Sequence, residues 1–366
     1  MTTDARFFSR TYREARSRLF EAAIGAGAAH RLYRHPLPGF EGEALGTDVF
    51  LFGEPTARRC VALESGTHGV EGFTGSAIQL ASVERASRAA SERGLSILFV
   101  HAVNPYGFSF CRRGDENNVD VNRNFVDFTT SAIFANPLFD EMAPHLVPQS
   151  WDEYSLREAD QAMHRLREVH GDTAVSRSMR RGQYTHPGNL FFGGTGPTWS
   201  RRTIEKIAAD LLTSATSTLL LDVHTGLGDY AGLQLLTVES PDAVRYHRLR
   251  QTFGVRVRST VDPSSGAANA GGNIFAGYER RIAPAEFTGL ALEFGTYEQA
   301  RVQFALRANA WAYLEGNAMS RDDLREQSRA EMLEIFCPAD ESWRRQVVVQ
   351  GVEVFGQAIT SMCASV

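Results

Sequence analysis

The sequence has few cysteines, and they form no recognisable pattern. The four cysteines, Cys60, Cys111, Cys337 and Cys363, are scattered over 366 residues and include no CxxC pair. This spacing argues against a thiolate zinc cluster and against a disulfide scaffold, so buried free thiols are expected. The chain also contains no GxSxG segment, the turn on which many serine hydrolases carry their nucleophile.

Long hydrophobic runs and an excess of positive charge are also absent. No stretch of 18 uninterrupted apolar residues occurs, so no transmembrane helix is predicted. Residues 2–23 carry charges throughout and lack the apolar centre of a signal peptide, so we expect a cytoplasmic protein. The net charge is -5, and neither nucleic acid nor a membrane is an expected partner. None of these features indicates an oligomeric state.

Short apolar runs rich in β-forming residues alternate with helical patterns. Several runs are apolar throughout, as expected for strands covered on both faces by helices. The alternation predicts an α/β fold with a mixed, mostly parallel sheet. Strands are predicted at 48–52, 60–65, 95–103, 217–224, 232–238 and 288–295, and helices at 74–92, 151–169, 200–214 and 240–253.

No linker divides the chain, so we predict a single domain over residues 1–366. Residues 126–200 depart from compact strand and helix units and are interpreted as an insertion. Such a segment either shapes a pocket or forms a plain surface excursion. After residue 297 the pattern is almost entirely helical, and this part is expected to pack on one side of the same domain.

A histidine and a glutamate three residues apart follow the apolar run at 60–65. His68 and Glu71 stand among glycines, which let the backbone bend sharply. Ligands bind at the carboxyl ends of strands in open α/β sheets, and a pair at this spacing can converge on one ion. Taken alone, the HxxE spacing more often belongs to a surface pair.

The run at 217–224 ends in a second imidazole, His224. Two histidines and one carboxylate from two strand ends match the three protein ligands of a catalytic zinc site, which keeps a fourth position for water. The residues therefore predict one Zn²⁺ held by His68, Glu71 and His224. Asp222 is expected either to accept a hydrogen bond from a ligand or to cap the strand end.

Arginine and asparagine side chains are concentrated in the stretch that follows the run at 95–103. Arg112, Arg113, Asn122 and Arg123 all lie in this stretch. Guanidinium and amide groups can bind a carboxylate, and an arginine can face the oxyanion that develops on a cleaved carbonyl. A loop that only satisfies its own turns is the alternative.

An acidic residue, Glu293, interrupts the apolar run at 288–295. Burying a lone carboxylate is unfavourable unless a cation, hydrogen bonds or a raised pKa relieves the cost. Beside an activated water, this residue would suit the role of general base. A structural salt bridge is the competing interpretation.

These clusters, in this order, resemble the zinc carboxypeptidase (M14-like) superfamily, which includes carboxypeptidase A and the aspartoacylase and succinylglutamate desuccinylase group. The segments THGVEG, NPYGF…RR…DVNRNF, DVHTG and LEFGTY carry the resemblance between residues 48 and 297. The RR..ENNVD.NRNF pattern is similar to that of a bacterial subgroup of unknown function, the DUF2817 type. The resemblance implies a carboxypeptidase-like domain with about eight strands flanked by helices.

The resemblance also implies roles for individual residues. Glu293 matches the catalytic carboxylate of the family. Arg113 is similar in placement to the family arginine that polarises the scissile carbonyl. The zinc ligands of the family match His68, Glu71 and His224.

Asn122 and Arg123 match the family pair that binds the terminal carboxylate of the substrate, and the nearby Arg112 is also predicted to contact substrate. The correspondence breaks where carboxypeptidase A enzymes carry a tyrosine four residues before a Gly-Gly pair. Residues 267–272 read AANAGG here, without a tyrosine. We predict that Tyr278 substitutes from another direction.

The predicted function is zinc-dependent hydrolysis of an amide bond, as in carboxypeptidase-type removal of a C-terminal residue from a small peptide or peptide-like metabolite. The expected substrate carries a free carboxylate. Because the tyrosine is missing, an aspartoacylase-like deacylase acting on an N-acyl amino acid is an alternative. A catalytically silent binding protein of the same fold is another, and a metal assay with a panel of peptides would separate it from the enzymes.

Overall fold

One central sheet organises the protein. The computed structural model describes residues 3–130, 135–262, 271–313 and 321–364. The eight strands of the sheet are β1 (Ala29–Pro38), β2 (Ala44–Phe52), β3 (Arg59–Ser65), β4 (Ser96–His101), β5 (Ser217–Thr225), β6 (Leu233–Thr237), β7 (Val257–Ser259) and β8 (Glu286–Phe294). Their order across the sheet is β1-β2-β4-β3-β5-β8-β6-β7.

Helices flank the sheet on both faces. The α-helices of the described residues are α1 (Tyr12–Gly25), α2 (Gly72–Arg93), α3 (Pro105–Ser109), α4 (Pro137–Leu146), α5 (Glu153–His170), α6 (Asp172–Arg181), α7 (Trp199–Leu211), α8 (Val244–Phe253), α9 (Ile274–Ile282), α10 (Gln299–Ala312), α11 (Arg321–Phe336) and α12 (Glu341–Ala364). Apolar side chains of α1, α2 and α12 pack on one face, and those of α7 and α9 pack on the other. The predicted α/β class is therefore confirmed.

The sheet is mixed. Four neighbouring pairs are parallel (β3–β4, β3–β5, β5–β8 and β6–β7), and three are antiparallel (β1–β2, β2–β4 and β6–β8). The expectation of about eight strands is confirmed, although the apolar runs revealed only six. The edge strand β1 is mostly exposed and polar, and β7 has three residues, so neither contains an apolar run.

Residues 126–200 contain helices α4, α5 and α6 together with long connecting loops. These helices have a small core of their own, which includes Phe139, Met142, Val175 and Met179. The bounds of the domain and of the insertion stay predictions. The part after residue 297 consists of α10, α11 and α12 in the residues described.

Helix α12 is long and apolar enough to cross a membrane by length and composition alone, with a mean hydropathy of 1.3 in its most apolar window. Counting uninterrupted apolar residues did not reveal this helix, because polar and charged residues interrupt it. Trp343, Val347, Val354 and Phe355 of this helix are nevertheless buried in the main core. Core helices pass the same test, so this feature is weak evidence for a membrane span.

The cysteines behave largely as expected. All four are free, and Cys60, Cys111 and Cys337 are buried, whereas Cys363 is partly exposed near the end of α12. Burial raises the pKa of the Cys60 thiol to about 12. A thiol in that environment stays protonated at neutral pH and is unreactive.

The sheet brings three strand ends together at one edge. Strands β3, β5 and β8 are parallel neighbours, so their carboxyl ends meet there. His224 on β5 pairs in register with Glu293 on β8. The loop that follows β3 carries His68 and Glu71 to the same edge.

Candidate metal centre

A glycine-dependent turn positions the first two side chains of the site. Gly66 has a φ of 70°, a conformation that L side chains rarely adopt. A Cβ on Gly69 would lie 2.0 Å from the carbonyl carbon of Gly107. The backbone N–H of Val70 donates to the Arg112 carbonyl oxygen at 2.9 Å, which ties this turn to the loop that carries the arginines.

The structure brings His68, Glu71 and His224 together, and all three are buried. His68 Nδ1 lies 3.0 Å from Glu71 Oε1 and 3.2 Å from His224 Nδ1. His224 Nδ1 lies 3.1 Å from Glu71 Oε2. One candidate ligand atom from each residue lies within 4.8 Å of the other two. Three residues from two distant segments therefore present their polar atoms to one point.

Two buried carboxylates lie behind the histidines. Asp222 Oδ2 is 2.5 Å from His224 Nε2, and Asp120 Oδ1 is 3.3 Å from His68 Nε2. At His224, the carboxylate favours the tautomer with its hydrogen on Nε2, which leaves the Nδ1 lone pair facing the cluster. A hydrogen on Nε2 of His68 would have the same effect there, with Asp120 as its acceptor. Two such nitrogens and a carboxylate form the donor set that zinc prefers, so these residues fit the ion that the family resemblance implies.

The electrostatics of the cluster also favour a cation. Burial acts to lower the pKa of His224, but the charges of Asp222 and Glu71 outweigh it and raise this pKa well above its usual value. Burial acts to raise the pKa of Glu71, but the imidazoles of His68 and His224 hold it below its usual range. Both shifts arise from the attraction between the imidazoles and the carboxylates, and the negative charge of these carboxylates also favours a bound cation.

Asp120 also contacts the cluster, and the sequence analysis assigned it no role. Burial acts to raise its pKa, but Arg113 and Arg123 outweigh that effect and hold it well below the usual range. Asp120 therefore stays ionised behind His68. The available signal was its position in the polar stretch two residues before Asn122, where a carboxylate needs a buried partner.

Glu293 lies beside this cluster, with 7% of its surface exposed. Its Oε1 accepts a hydrogen bond of 3.0 Å from the backbone N–H of Leu227. Burial, reinforced by the nearby charge of Glu71 and opposed by the two imidazoles, raises the pKa of Glu293 to about 7. A carboxyl group with that pKa can both accept and return a proton near neutral pH.

Arg113 reaches the same cluster from the loop behind β4. Its Nε donates to Asp120 Oδ2 at 3.1 Å, and its Nη1 donates to Glu71 Oε1 at 3.4 Å. Nη2 lies 2.8 Å from His68 Nε2. One imidazole nitrogen cannot both donate to Asp120 and accept from Arg113. With the hydrogen on Nε2, Asp120 is its partner, and Nη2 can donate to a ligand instead.

Arg123 and Asn122 lie at one side of the same space. Arg123 donates from Nε and Nη2 to the Arg180 carbonyl oxygen, at 3.0 and 2.7 Å, and from Nη1 to the Asn122 carbonyl oxygen at 2.9 Å. These bonds use three of the five N–H groups of a guanidinium and leave two for a ligand. Asn122 Oδ1 accepts from the Ile274 N–H at 2.9 Å, so this side chain also has a fixed orientation.

Comparison with known proteins identifies the family. A model of the DUF2817 family, which is described as a protein of unknown function, matches residues 8–350. The chain belongs to this family. The resemblance to the DUF2817 type that the sequence motifs indicated is therefore confirmed. No curated protein matches the sequence.

Solved structures similar to this DUF2817 protein have low sequence identity to it. Carboxypeptidase A from Helicoverpa armigera is 13% identical, over 94% of this chain and 74% of that one, with a TM-score of 0.46. A succinylglutamate desuccinylase from a Silicibacter species is 10% identical, over 84% and 67%, with a TM-score of 0.40. A metallo-carboxypeptidase from Burkholderia cenocepacia is 10% identical, over 95% and 71%, with a TM-score of 0.38.

Two predicted substrate contacts are not supported by the structure of the DUF2817 protein. Arg112 donates to Asn118 Oδ1 at 2.8 Å, and its guanidinium stacks 4.0 Å from the ring centre of Tyr313. Tyr278 is fully buried, and its hydroxyl donates to Glu64 Oε2 at 2.8 Å. Neither side chain lines the cavity at the cluster. Residues 267–270, where the family tyrosine is missing, lie outside the described residues.

The cluster of the DUF2817 protein opens into a cavity of about 450 Å³, a size that suits a small ligand. The cavity is lined by all three candidate metal ligands and by Glu293, Arg113, Asn122 and Arg123. A larger groove of about 850 Å³ between α2, α8 and α12 contains neither histidine nor cysteine in its described lining. Of these two cavities, the smaller one therefore contains the candidate metal ligands.

Proposed function

We propose that this DUF2817 protein is a zinc-dependent hydrolase that removes a C-terminal residue from a small peptide or peptide-like metabolite. The observation that supports this proposal is the convergence of His68 Nδ1, Glu71 and His224 Nδ1 beside the buried carboxyl group of Glu293. A catalytic zinc site needs three protein ligands and an open position that faces a cavity. A cytoplasmic location stays a prediction.

The side chains of the cavity suggest how each contributes to the reaction. A zinc ion held by the three ligands would supply Lewis acidity, which polarises an amide carbonyl and lowers the pKa of water. Glu293 would take a proton from the attacking water and return it to the leaving amine. The Leu227 N–H holds Oε1 of this carboxyl group, so Oε2 is available for the transfer.

Two arginines would bind the substrate at different points. Arg113 Nη2 lies next to the metal cluster and would donate to the oxygen of the scissile carbonyl as negative charge develops there. Arg123 and Asn122 would bind the terminal carboxylate through the N–H groups that their internal bonds leave unused. The buried contacts of Arg123 hold it in place before substrate arrives.

Glu293→Gln tests the proposal. The substitution keeps the size of the side chain and removes its ability to accept a proton. We expect zinc content by elemental analysis to be unchanged and kcat on a panel of blocked dipeptides to fall at least about 10²-fold. Glu286→Gln, at the exposed start of the same strand, is the matched control. Equal turnover in wild type and Glu293→Gln would refute the assignment.

Two alternatives are measured in the same experiment. Turnover of N-acyl amino acids without turnover of peptides would indicate a deacylase. Stoichiometric zinc without turnover of either substrate class would indicate a binding protein. Activity that survives complete removal of the metal by a chelator would contradict all zinc-dependent mechanisms.

A further inference from the structure

We infer that the cavity binds a second anionic group on the substrate, and that Arg258 recognises it. This inference rests on the proposed function, because it concerns the side chain of the residue that the hydrolase would release. Arg258 lies on β7 and lines the same cavity as the metal cluster and Glu293. The geometry favours a substrate with an acidic, glutamate-like C-terminal residue.

The register of the sheet places Arg258 on the floor of the cavity. Leu236 on β6 pairs with Arg258 on one side and with Ala291 on β8 on the other. Paired residues of neighbouring strands point to the same face, so these three side chains form one row. Gln234 and Glu293 form the next row towards the metal cluster, since they pair with each other. Arg258 and Glu293 therefore face the same cavity from strands separated by β6.

The distance along this floor suits an extended side chain. Arg258 and Glu293 lie two strand spacings and two residues apart. With strands about 4.8 Å apart and about 3.4 Å per residue, their Cα atoms are about 12 Å apart. Ala291 is small and leaves room between them, while Leu236, Val238 and Phe275 supply apolar contacts. A side chain of a few methylene groups that ends in a carboxylate would place its methylene groups on the apolar residues and its carboxylate at Arg258.

Arg258 differs from the other arginines in this part of the chain. Arg245 binds Glu239, Arg248 binds Glu286 and Arg256 binds Glu353. Arg258 makes no hydrogen bond or ion pair with any residue that the structure describes, and it is exposed. A guanidinium that lines a cavity without a partner among the described residues can bind an anion of the substrate.

The distribution of charge around the cavity excludes a basic side chain as the preferred occupant. Among the described lining residues, the carboxylates are Glu71 and Glu293, and both lie at the metal cluster. Neither of these two carboxylates lies near Arg258, so among the described lining residues a lysine or arginine of a substrate would meet a like charge there and no counter-charge. A neutral side chain would leave the guanidinium without a counter-charge.

The test compares two dipeptides with a benzoyl group on the N-terminus, glycyl-glutamate and glycyl-glutamine. These side chains have nearly the same size and differ in charge. In the wild-type zinc protein, we expect kcat/KM for the glutamate peptide to exceed that for the glutamine peptide at least tenfold. In Arg258→Gln, this ratio should fall at least tenfold. Arg256→Gln, two residues away and paired with Glu353, should keep the wild-type ratio.

Binding separates failure of the inference from failure of the proposed function. The affinities of both peptides are also measured by calorimetry in zinc-loaded Glu293→Gln, with and without Arg258→Gln. A preference for glutamate that depends on Arg258, without turnover in wild type, would overturn the proposed function alone. Turnover with a glutamate-to-glutamine ratio that Arg258→Gln changes less than twofold would overturn the inference alone. Equal affinity for the two peptides in Glu293→Gln that retains Arg258 would also overturn the inference.

Discussion

Asp222→Asn removes the negative charge behind His224 and keeps the size of the side chain. Asp222 is completely buried, with Oδ2 2.5 Å from His224 Nε2 and Oδ1 accepting from the Thr67 hydroxyl at 2.9 Å. An amide has one acceptor oxygen, so it can serve Thr67 or His224 but not both. The other partner would then face an N–H₂ group. We expect zinc affinity to fall as a result.

The size of the effect follows from the role of such carboxylates. Loss of a hydrogen-bonding partner behind a ligating histidine costs about 10- to 100-fold in metal affinity. That loss corresponds to about 1.4–2.7 kcal/mol. Because Asp222 is completely buried and close to His224, we expect a value in the upper half of this range.

Asp222→Asn should have two opposing effects on the stability of the metal-free protein, because Asp222 attracts the His224 imidazole and repels Glu64. Glu64 on β3 pairs in register with Asp222 on β5, and both are completely buried. Burial raises the pKa of Glu64, and the charge of Asp222 raises it further. Neutralising Asp222 removes this repulsion together with the attraction to His224, so we expect the free energy of unfolding to change less than the free energy of zinc binding. A substitution that merely disrupts the fold would instead weaken both zinc binding and stability.

The assay uses competition with a chelator of known zinc affinity, together with urea unfolding of the metal-free protein. Thr67→Val is the matched control, because it removes the other hydrogen bond of Asp222 without changing a charge. This control should change zinc affinity less than Asp222→Asn does. A zinc affinity for Asp222→Asn within twofold of wild type, in a folded protein, would refute the reasoning.

Two further predictions concern stability. Because burial raises the pKa of Glu64, its contribution to stability is full below the unfolded value of about 4.3 and is lost as pH rises through the folded pKa. Glu64→Gln should therefore make the free energy of unfolding, measured in urea, less dependent on pH above about pH 5. An unchanged pH dependence of this free energy would contradict the assignment. Gly295→Ala should lower the free energy of unfolding by about 1–3 kcal/mol in urea, because the added Cβ would lie 1.9 Å from the Asp229 carbonyl oxygen. Gly196→Ala, where a Cβ meets nothing within 4 Å, is its control, and equal stability of the two variants would contradict the steric argument.

The convergence of the candidate metal ligands could be predicted from the chain alone. His68 and Glu71 follow an apolar strand, and His224 ends another, so parallel pairing brings them to one edge. Glu293 was recognisable because an acidic residue inside an apolar strand needs a special environment. In both cases the signal is local, since the strand and its polar end are continuous in sequence.

The roles of neighbouring polar residues were harder to distinguish from the sequence. Arg112 and Arg113 look equivalent in sequence, but the loop directs Arg113 to the cluster and Arg112 towards Asn118 and Tyr313. Tyr278 was predicted to reach substrate, yet α9 turns it inward to Glu64. The direction of a side chain in a loop or helix depends on how that element packs, which periodicity does not specify.

Sequence by itself determined the class of the fold, the central strands and the order of the polar clusters, because apolar periodicity and residues at strand ends are local properties of the chain. Tertiary structure alone decided which carboxylates lie behind the histidines and that Arg258 faces the same cavity as Glu293. Those relations arise from pairing between strands and from loops that pack across the sheet. They join residues far apart in the chain, and a local sequence pattern does not specify which of these residues will be in contact.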